Sequence, residues 1–425
     1  MTAASAMAAR VAASPVGHGL VFVVAGLVLL LVLAMPKRDR VNGCIDRVEL
    51  GLGLTYAHNC DSRHITRDAR NLQRYLAEAS PSRTRPVHVL AVAAVTHVLS
   101  PVLVPLAATL GPLKPLAGEL LPFYLGAIVV NAGVVALSWM VLVRLVGAGS
   151  EALTRATLMG LVVSYDVTVA WFWVPHQILM NLLAPLGGVL AFVTGMRAAH
   201  LSVSARAWLG LATAAACLTY GYCLIWPIAF ALGIGYAAWT EDRLDPRRMA
   251  VVLLPYGAAV VVPLLLWLGA FALAGREVAY EAQSYGQFTW LGTAWKQGTV
   301  VRDASARVAE LGAFLGGSLG AWGWLSIAAA VGLVGVVSRL LPARRVLTDP
   351  VVLGGLVTLG LMLVFNYLQG YHQARLLMFP LLLAQVVILR LLAIASVPRG
   401  VAIAATLITL VQVAGGFLGP PTSMD

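Results

Sequence analysis

Charge is the scarcest property of this sequence. Of 425 residues only 11% are Asp, Glu, Lys or Arg, and 60% are hydrophobic. A soluble domain carries about 25% charged residues. A soluble fold of this length has no interior large enough for so much apolar surface, and a disordered chain needs the opposite balance. Cysteine is scarce as well. There are 4, with no CxxC pair and no metal-type Cys/His spacing, which excludes a disulfide-dense secreted scaffold. No internal repeat is visible, which counts against transporter folds built from inverted repeats. No small-residue cleavage site follows the apolar run from His18 to Met35; Pro36-Lys37-Arg38 does. That run therefore reads as a retained first span and not as a signal peptide.

Long apolar runs are what the chain has in abundance. They lie at 19–35, 121–144, 156–174, 177–195, 207–221, 223–238, 249–274, 317–338, 350–366, 376–395 and 400–417. Since a bilayer core takes about 20 apolar residues per helix, they predict an all-α polytopic membrane protein of about eleven transmembrane helices. No separate soluble domain is visible, so residues 1–425 are expected to form a single transmembrane domain. Segment 86–111 is apolar but interrupted by His88, His97, Pro101 and Pro105. It reads as a juxtamembrane helix on or dipping into the surface, within a first outer loop of 36–118.

The net charge of +11 would suggest nucleic acid in a soluble protein; in a membrane protein bases are first sorted by side. Arg144 and Arg155, Arg197 and Arg206, Arg243 with Arg247 and Arg248, Arg339 with Arg344 and Arg345, and Arg390 with Arg399 occupy alternate loops. The positive-inside rule makes that side cytoplasmic. The N-terminus is then inside and the C-terminus outside. Three segments face outward: the first loop, a large loop at 275–316 with Trp290, Trp295, Lys296 and Arg302, and Asn366–Arg375.

The first loop concentrates the rare charges. It holds Lys37, Arg38, Arg40, Arg47, Arg63, Arg67, Arg70, Arg74, Arg83 and Arg85, with Asp39, Asp46, Glu49, Asp61, Asp68 and Glu78. The bases suit lipid headgroups or an anionic partner such as a lipid-borne phosphate. Residues 59–72 read as a turn and then a helix, with Asp61 near its start, where an N-cap is an ordinary role. Cys44 and Cys60 flank this polar stretch and are disulfide candidates in an oxidising compartment. Asp166 falls midway along 156–174, and a charge inside a membrane is costly and usually functional.

Asp61-Ser62, then Ala69-Arg70-Asn71-Leu72, then Arg85-Pro86 leading into a surface helix resembles the first outer loop of the GT-C glycosyltransferases. These multi-span enzymes move a sugar from a polyprenyl phosphate to an acceptor outside the cytoplasm. The second outer turn, Trp173-Val174-Pro175-His176, and the late run Tyr371-His372-Gln373-Ala374-Arg375-Leu376-Leu377-Met378-Phe379-Pro380 are similar to further parts of that family.

The resemblance implies a transferase in the bacterial inner (plasma) membrane with its site on the outer face. It makes Asp61 the general base for the acceptor hydroxyl, with Asp68 as runner-up. Arg375 and His372 would hold the donor phosphate, with Lys296 and Arg302 as weaker candidates; Arg375 also suits snorkelling at a helix end. His176 stands where many members carry an acid, which favours metal-independent transfer. His176, Asp166 and Tyr371 are expected to line the cavity or meet the acceptor. No tightly bound cofactor and no metal ligands are expected. The donor is expected to be a polyprenyl-phosphate sugar, arabinofuranose or mannose, and the acceptor a cell-envelope glycan, glycolipid or protein; membrane lipids are partners and nucleic acid is not. The rival reading is a transporter or flippase for a lipid-linked anion, with Asp166 carrying protons.

Overall fold

The computed structural model describes residues 45–51, 54–77, 85–109, 117–147, 151–241, 245–273, 275, 287–370, 378–397 and 399–418. The expected span 19–35, Cys44, and the segment 371–377 with Tyr371, His372 and Arg375 lie outside the described residues. The described chain opens on an antiparallel hairpin, β1 (Ile45–Gly51) and β2 (Leu54–Asn59), with Ile45 paired to Asn59 and Val48 to Tyr56. Among the described residues this hairpin is the one departure from the expected all-α chain; Ile45, Val48, Thr55 and Tyr56 are residue types that suit a strand.

Two short helices follow, α1 (Cys60–Arg70) and α2 (Leu72–Ala77). Next come α3 (Pro86–Val98) and α4 (Ser100–Thr109), bent by 84° at the break between them. Pro101 has no N–H to return to the carbonyl of His97, so the helix breaks there. Ser100 Oγ donates to that carbonyl instead, at 2.8 Å. Neither limb, of 13 and 10 residues, reaches by itself the length of about 20 that a bilayer core requires.

The bundle proper contains α5 (Ala117–Val146), α6 (Ala152–Ser164), α7 (Asp166–Trp171), α8 (Met180–Gly195), α9 (Val203–Cys217), α10 (Ile225–Thr240) and α11 (Pro246–Leu273). It continues with α12 (Trp290–Gln297), α13 (Val300–Leu340), α14 (Ala343–Leu347), α15 (Pro350–Gln369), α16 (Phe379–Ile394) and α17 (Gly400–Leu418). Single 3-10 turns, Gln177–Leu179 and Gly221–Leu224, lead into α8 and α10. Six helical stretches among the described residues are long and apolar enough to cross a bilayer: Leu121–Val146, Gln177–Gly195, Gly221–Thr240, Pro246–Leu273, Leu319–Leu340 and Pro350–Gln369. The α3–α4 pair would make a seventh if its two limbs were one broken span. The chain is thus a multi-pass helical bundle, and length and composition support six or seven spans among the described residues where the sequence suggested about eleven. Helices α6, α16 and α17 are apolar but contribute shorter stretches.

Two expected segments change shape. The run 156–174 is not one helix: α6 stops at Ser164, Tyr165 is extended (φ −63°, ψ 135°), and α7 starts at Asp166. Asp166 is therefore an exposed residue at a helix break and not a mid-helix charge. Bonds from side chains compensate for the break. Tyr165 Oη donates to Met378 O at 2.7 Å, Ser164 Oγ to Gln412 Oε1 at 2.7 Å, and Thr168 Oγ1 back across the break to Val162 O at 2.7 Å. The loop 275–316 is largely helical where it is described, because α13 starts at Val300 and kinks at Gly320, whose φ of 54° and ψ of −172° lie outside the helical region.

The core runs through α5, α6, α8, α15 and α16. Leu142, Leu158, Leu182, Leu186, Met362 and Leu389 from these five helices are buried in one cluster. Where α8 meets α10, glycine replaces the large side chains. A Cβ on Gly195 would strike the Phe230 carbonyl, and one on Gly233 would strike the Phe192 carbonyl. Small residues at such a crossing let two backbones approach closely in an apolar bundle. At one end of the bundle Arg390 of α16 ties three elements together. Its Nη2 is 2.7 Å from Asp349 Oδ2, its Nε 3.1 Å from Oδ1, and its Nη1 donates to Val146 O at 3.3 Å. Asp349 also caps α15, accepting from Val351 N at 3.0 Å and Val352 N at 3.2 Å.

Gly195→Val is expected to lower stability by about 1–3 kcal/mol through overpacking, read as a lower melting temperature in detergent; an unchanged melting temperature would contradict the close crossing. Asp349→Ala leaves Arg390 without its carboxylate and is expected to cost about 3–5 kcal/mol, against a much smaller loss for the double variant Asp349→Ala with Arg390→Met.

Candidate functional site

The end of the bundle opposite Arg390 gathers the segments that carry the sequence's candidate residues. Helix α1 is held there by a stripe at helical spacing. Ile65 and Ala69 are buried with Val89, Val92 and Ala93 of α3 and Phe123 and Ala127 of α5, and Tyr75 of α2 joins them. Asp61 lies in the first turn of α1, one residue beyond Cys60. The side chains of Cys60, Asp61 and Ser62 lie outside the described residues. Asp68 is buried, with Arg67 Nε 3.8 Å from its Oδ1. Arg67 Nη2 lies 3.0 Å from His64 Nδ1.

Helix α3 begins beside the turn that follows α7. That turn is held by side chains of α5: Asn131 Nδ2 donates to Phe172 O at 2.8 Å and Val174 O at 2.9 Å, and Tyr124 Oη donates to Trp173 O at 2.6 Å. His176 is buried, and its Nδ1 accepts from Ile178 N at 3.1 Å. A neutral ring at 176 therefore carries its proton on Nε2. Gln177, with its amide oxygen toward Arg85, accepts from Arg85 Nε at 3.2 Å and from Nη1. Val87 N donates to Leu218 O at 3.3 Å, which adds the end of α9 to the assembly.

His88 lies in the first turn of α3 and is 2% exposed. Burial pushes its imidazole down to about 3, and the neighbouring His176 and Arg85 push in the same direction. His88 is thus neutral at ordinary pH, and its Nε2 has no hydrogen-bond partner among the described residues. Arg85, His88, His176 and Gln177 form one cluster that joins the first loop to the turn after α7.

A second group of contacts seats the segment before 371. Tyr222 Oη donates to Asn366 Oδ1. Trp290 Nε1 donates to Leu368 O at 3.0 Å, Phe288 N to Gln369 O at 3.1 Å, and Arg307 Nη1 to Gly370 O at 2.6 Å. Gly370 closes α15 in the left-handed region (φ 65°). Lys296 is exposed on α12. Arg302 is exposed too, with Nε 3.0 Å from Asp303 Oδ1, and lines an open groove of 730 Å³ with Trp295, Thr299 and Ser305.

The structure thus brings His176 together with residues of the first loop. It leaves Lys296 and Arg302 on an exposed surface. In the sequence Arg85 marks a helix start and His88 an interruption, and neither stands out as a site residue. Their signal is an Arg and a His at the head of an otherwise apolar segment. Among the described residues no three His, Cys, Asp or Glu gather as metal ligands. Comparison with protein-family models, with curated proteins and with solved structures finds no match to this chain.

The neutral His88 makes stability depend on pH. Between 6.5 and about 3 the unfolded chain binds a proton at this position that the folded chain does not, so stability is complete above that window and is lost as pH falls through it. Melting of the wild type is expected to drop from pH 7 to pH 5 by more than that of His88→Leu; equal drops would contradict a buried neutral imidazole.

Proposed function

We propose that this chain is a GT-C-type glycosyltransferase that uses a polyprenyl-phosphate sugar. The observation that carries the reading is the docking of the acid-bearing helix α1 on α3, the first limb of the bent pair, and on α5, with His88 of α3 next to His176. The order of short motifs from Asp61 to Arg375 supports the same reading. In this proposal the bundle has about eleven spans, the N-terminus is cytoplasmic, and the His176 end faces outward from a bacterial inner membrane.

The reaction needs a base and a stabilised leaving group. Asp61 takes the proton of the acceptor hydroxyl as that oxygen bonds to the anomeric carbon. The bond from that carbon to the phosphate oxygen breaks, and polyprenyl phosphate leaves with the bonding pair. Cations at the outer end, Arg375 and His372 among them, hold the phosphate. Asp68 is buried, which suits support of α1 better than proton transfer. Arabinofuranose or mannose is the favoured sugar, and a cell-envelope glycan, glycolipid or protein the acceptor.

A second reading, a transporter or flippase for a lipid-linked anion, is favoured by the break at Tyr165 with Asp166 exposed beside it, since broken helices line transport sites. Transfer from a synthetic polyprenyl-phosphate sugar by purified protein separates the two. Asp61→Asn is expected to reduce transfer by about 100-fold or more, and Asp68→Asn by less. Wild-type turnover in Asp61→Asn would overturn the base assignment; movement of the lipid without any transfer would favour the second reading.

A further inference from the structure

We infer that the groove between α12 and the first turns of α13 binds a neutral oligosaccharide, with Trp295 as the plate on which a sugar ring stacks. Its role, holding the built part of a glycan acceptor, rests on the proposed transferase reading; the binding itself does not.

The groove is an open space of about 730 Å³, and its walls are fixed by the fold. Trp290 of α12 donates to Leu368 O, and Arg307 of α13 donates to Gly370 O, so both walls are tied to the end of α15. Between them the chain turns at Gly298, whose φ of 69° is left-handed. Gly298 N and Thr299 N return to Trp295 O and Ala294 O across that turn. The two tryptophans of α12 have opposite surroundings. Trp290 is buried and bonded, whereas Trp295 is 78% exposed and lines the groove. The apolar span of α13 starts at Leu319, about four turns beyond Ser305. The groove's Arg302 and Ser305, with Asp303 between them, are groups that acyl chains do not solvate. The groove therefore opens to water and not to lipid tails.

Its lining suits a polyol better than an anion. Arg302 Nε donates to Asp303 Oδ1 at 3.0 Å, so the charge of Arg302 is matched. Lys296 does not line the groove. Thr299 Oγ1 donates to Asp303 Oδ2 at 2.7 Å, and Ser305 Oγ donates to Val301 O at 2.9 Å. Each hydroxyl has thus committed its proton and offers an oxygen that accepts, while the terminal nitrogens of Arg302 remain as donors. A sugar ring carries the complement: an apolar C–H face for the indole, and rim hydroxyls that both donate and accept. Gly370, held by Arg307, precedes His372 and Arg375 in the chain, which ties the groove to the proposed transfer site. Of the acceptor classes proposed, a glycan is the one that such a groove selects.

Titration calorimetry on the full chain, in a detergent without a sugar headgroup, tests this. The probes are linear mannotetraose, linear arabinotetraose and phosphatidylglycerol. One tetraose or both are expected to bind, with no competition from phosphatidylglycerol. Trp295→Ala is expected to weaken tetraose binding by about tenfold or more, Trp295→Phe by much less, and Arg302→Leu by about fivefold. Equal affinity of wild type and Trp295→Ala for both tetraoses, or no binding of either, would overturn the inference. Binding of phosphatidylglycerol alone, lost in Trp295→Ala, would overturn it in favour of a lipid headgroup. With a tetraose as acceptor in the transfer assay, Trp295→Ala is expected to raise KM for the tetraose more than it lowers kcat. Transfer with that KM untouched would leave the transferase reading standing and remove this site. Tetraose binding that depends on Trp295, without any transfer, would do the reverse.

Discussion

A carbonyl released at the end of a helix has no water to turn to inside an apolar bundle, and leaving it unpaired is costly. This chain meets that constraint with side chains from other elements. Asn131 and Tyr124 hold Phe172, Trp173 and Val174 O. Tyr165 holds Met378 O and Trp290 holds Leu368 O. Arg307 holds Gly370 O, and Arg390 holds Val146 O. Many of the polar and charged side chains of a charge-poor sequence are used this way.

The consequence for function is that the turns at the His176 end are pinned. Asn131 and Tyr124 fix the turn after α7, so His176 and Gln177 are presented to Arg85 and His88 in one place. The apolar stripe of α1 fixes the first loop on α3 and α5. Preorganised donors of this kind are what an anionic leaving group needs. The Arg390–Asp349 pair fastens the other end, where it joins helix ends and satisfies its own charges.

Much of the helix pattern was legible because apolar runs of about 20 residues have few alternatives. The helix from 60 onward and the interrupted segment 86–111 were legible from turn residues and prolines. The break at Tyr165 was not, because Ser164-Tyr165-Asp166-Val167 contains no Gly or Pro; the break depends on partners at 378 and 412, far away in sequence. The hairpin at 45–59 was missed among charged residues that masked its short strands. Of the candidate site, His176 was legible from its place before a span. The pairing of Arg85 with Gln177 was not, since nothing in either local sequence specifies the other.

The functional proposal depends on the first loop and the turn after α7 forming one outward-facing surface. The most direct test is a cross-link between Arg85→Cys and Gln177→Cys, in a background with the four native cysteines replaced by serine, in intact cells treated with a membrane-impermeant bifunctional thiol reagent that spans the length of the two side chains it replaces. A cross-link between the two positions that forms from outside is the predicted result. Two free thiols that react with permeant reagents alone would contradict it.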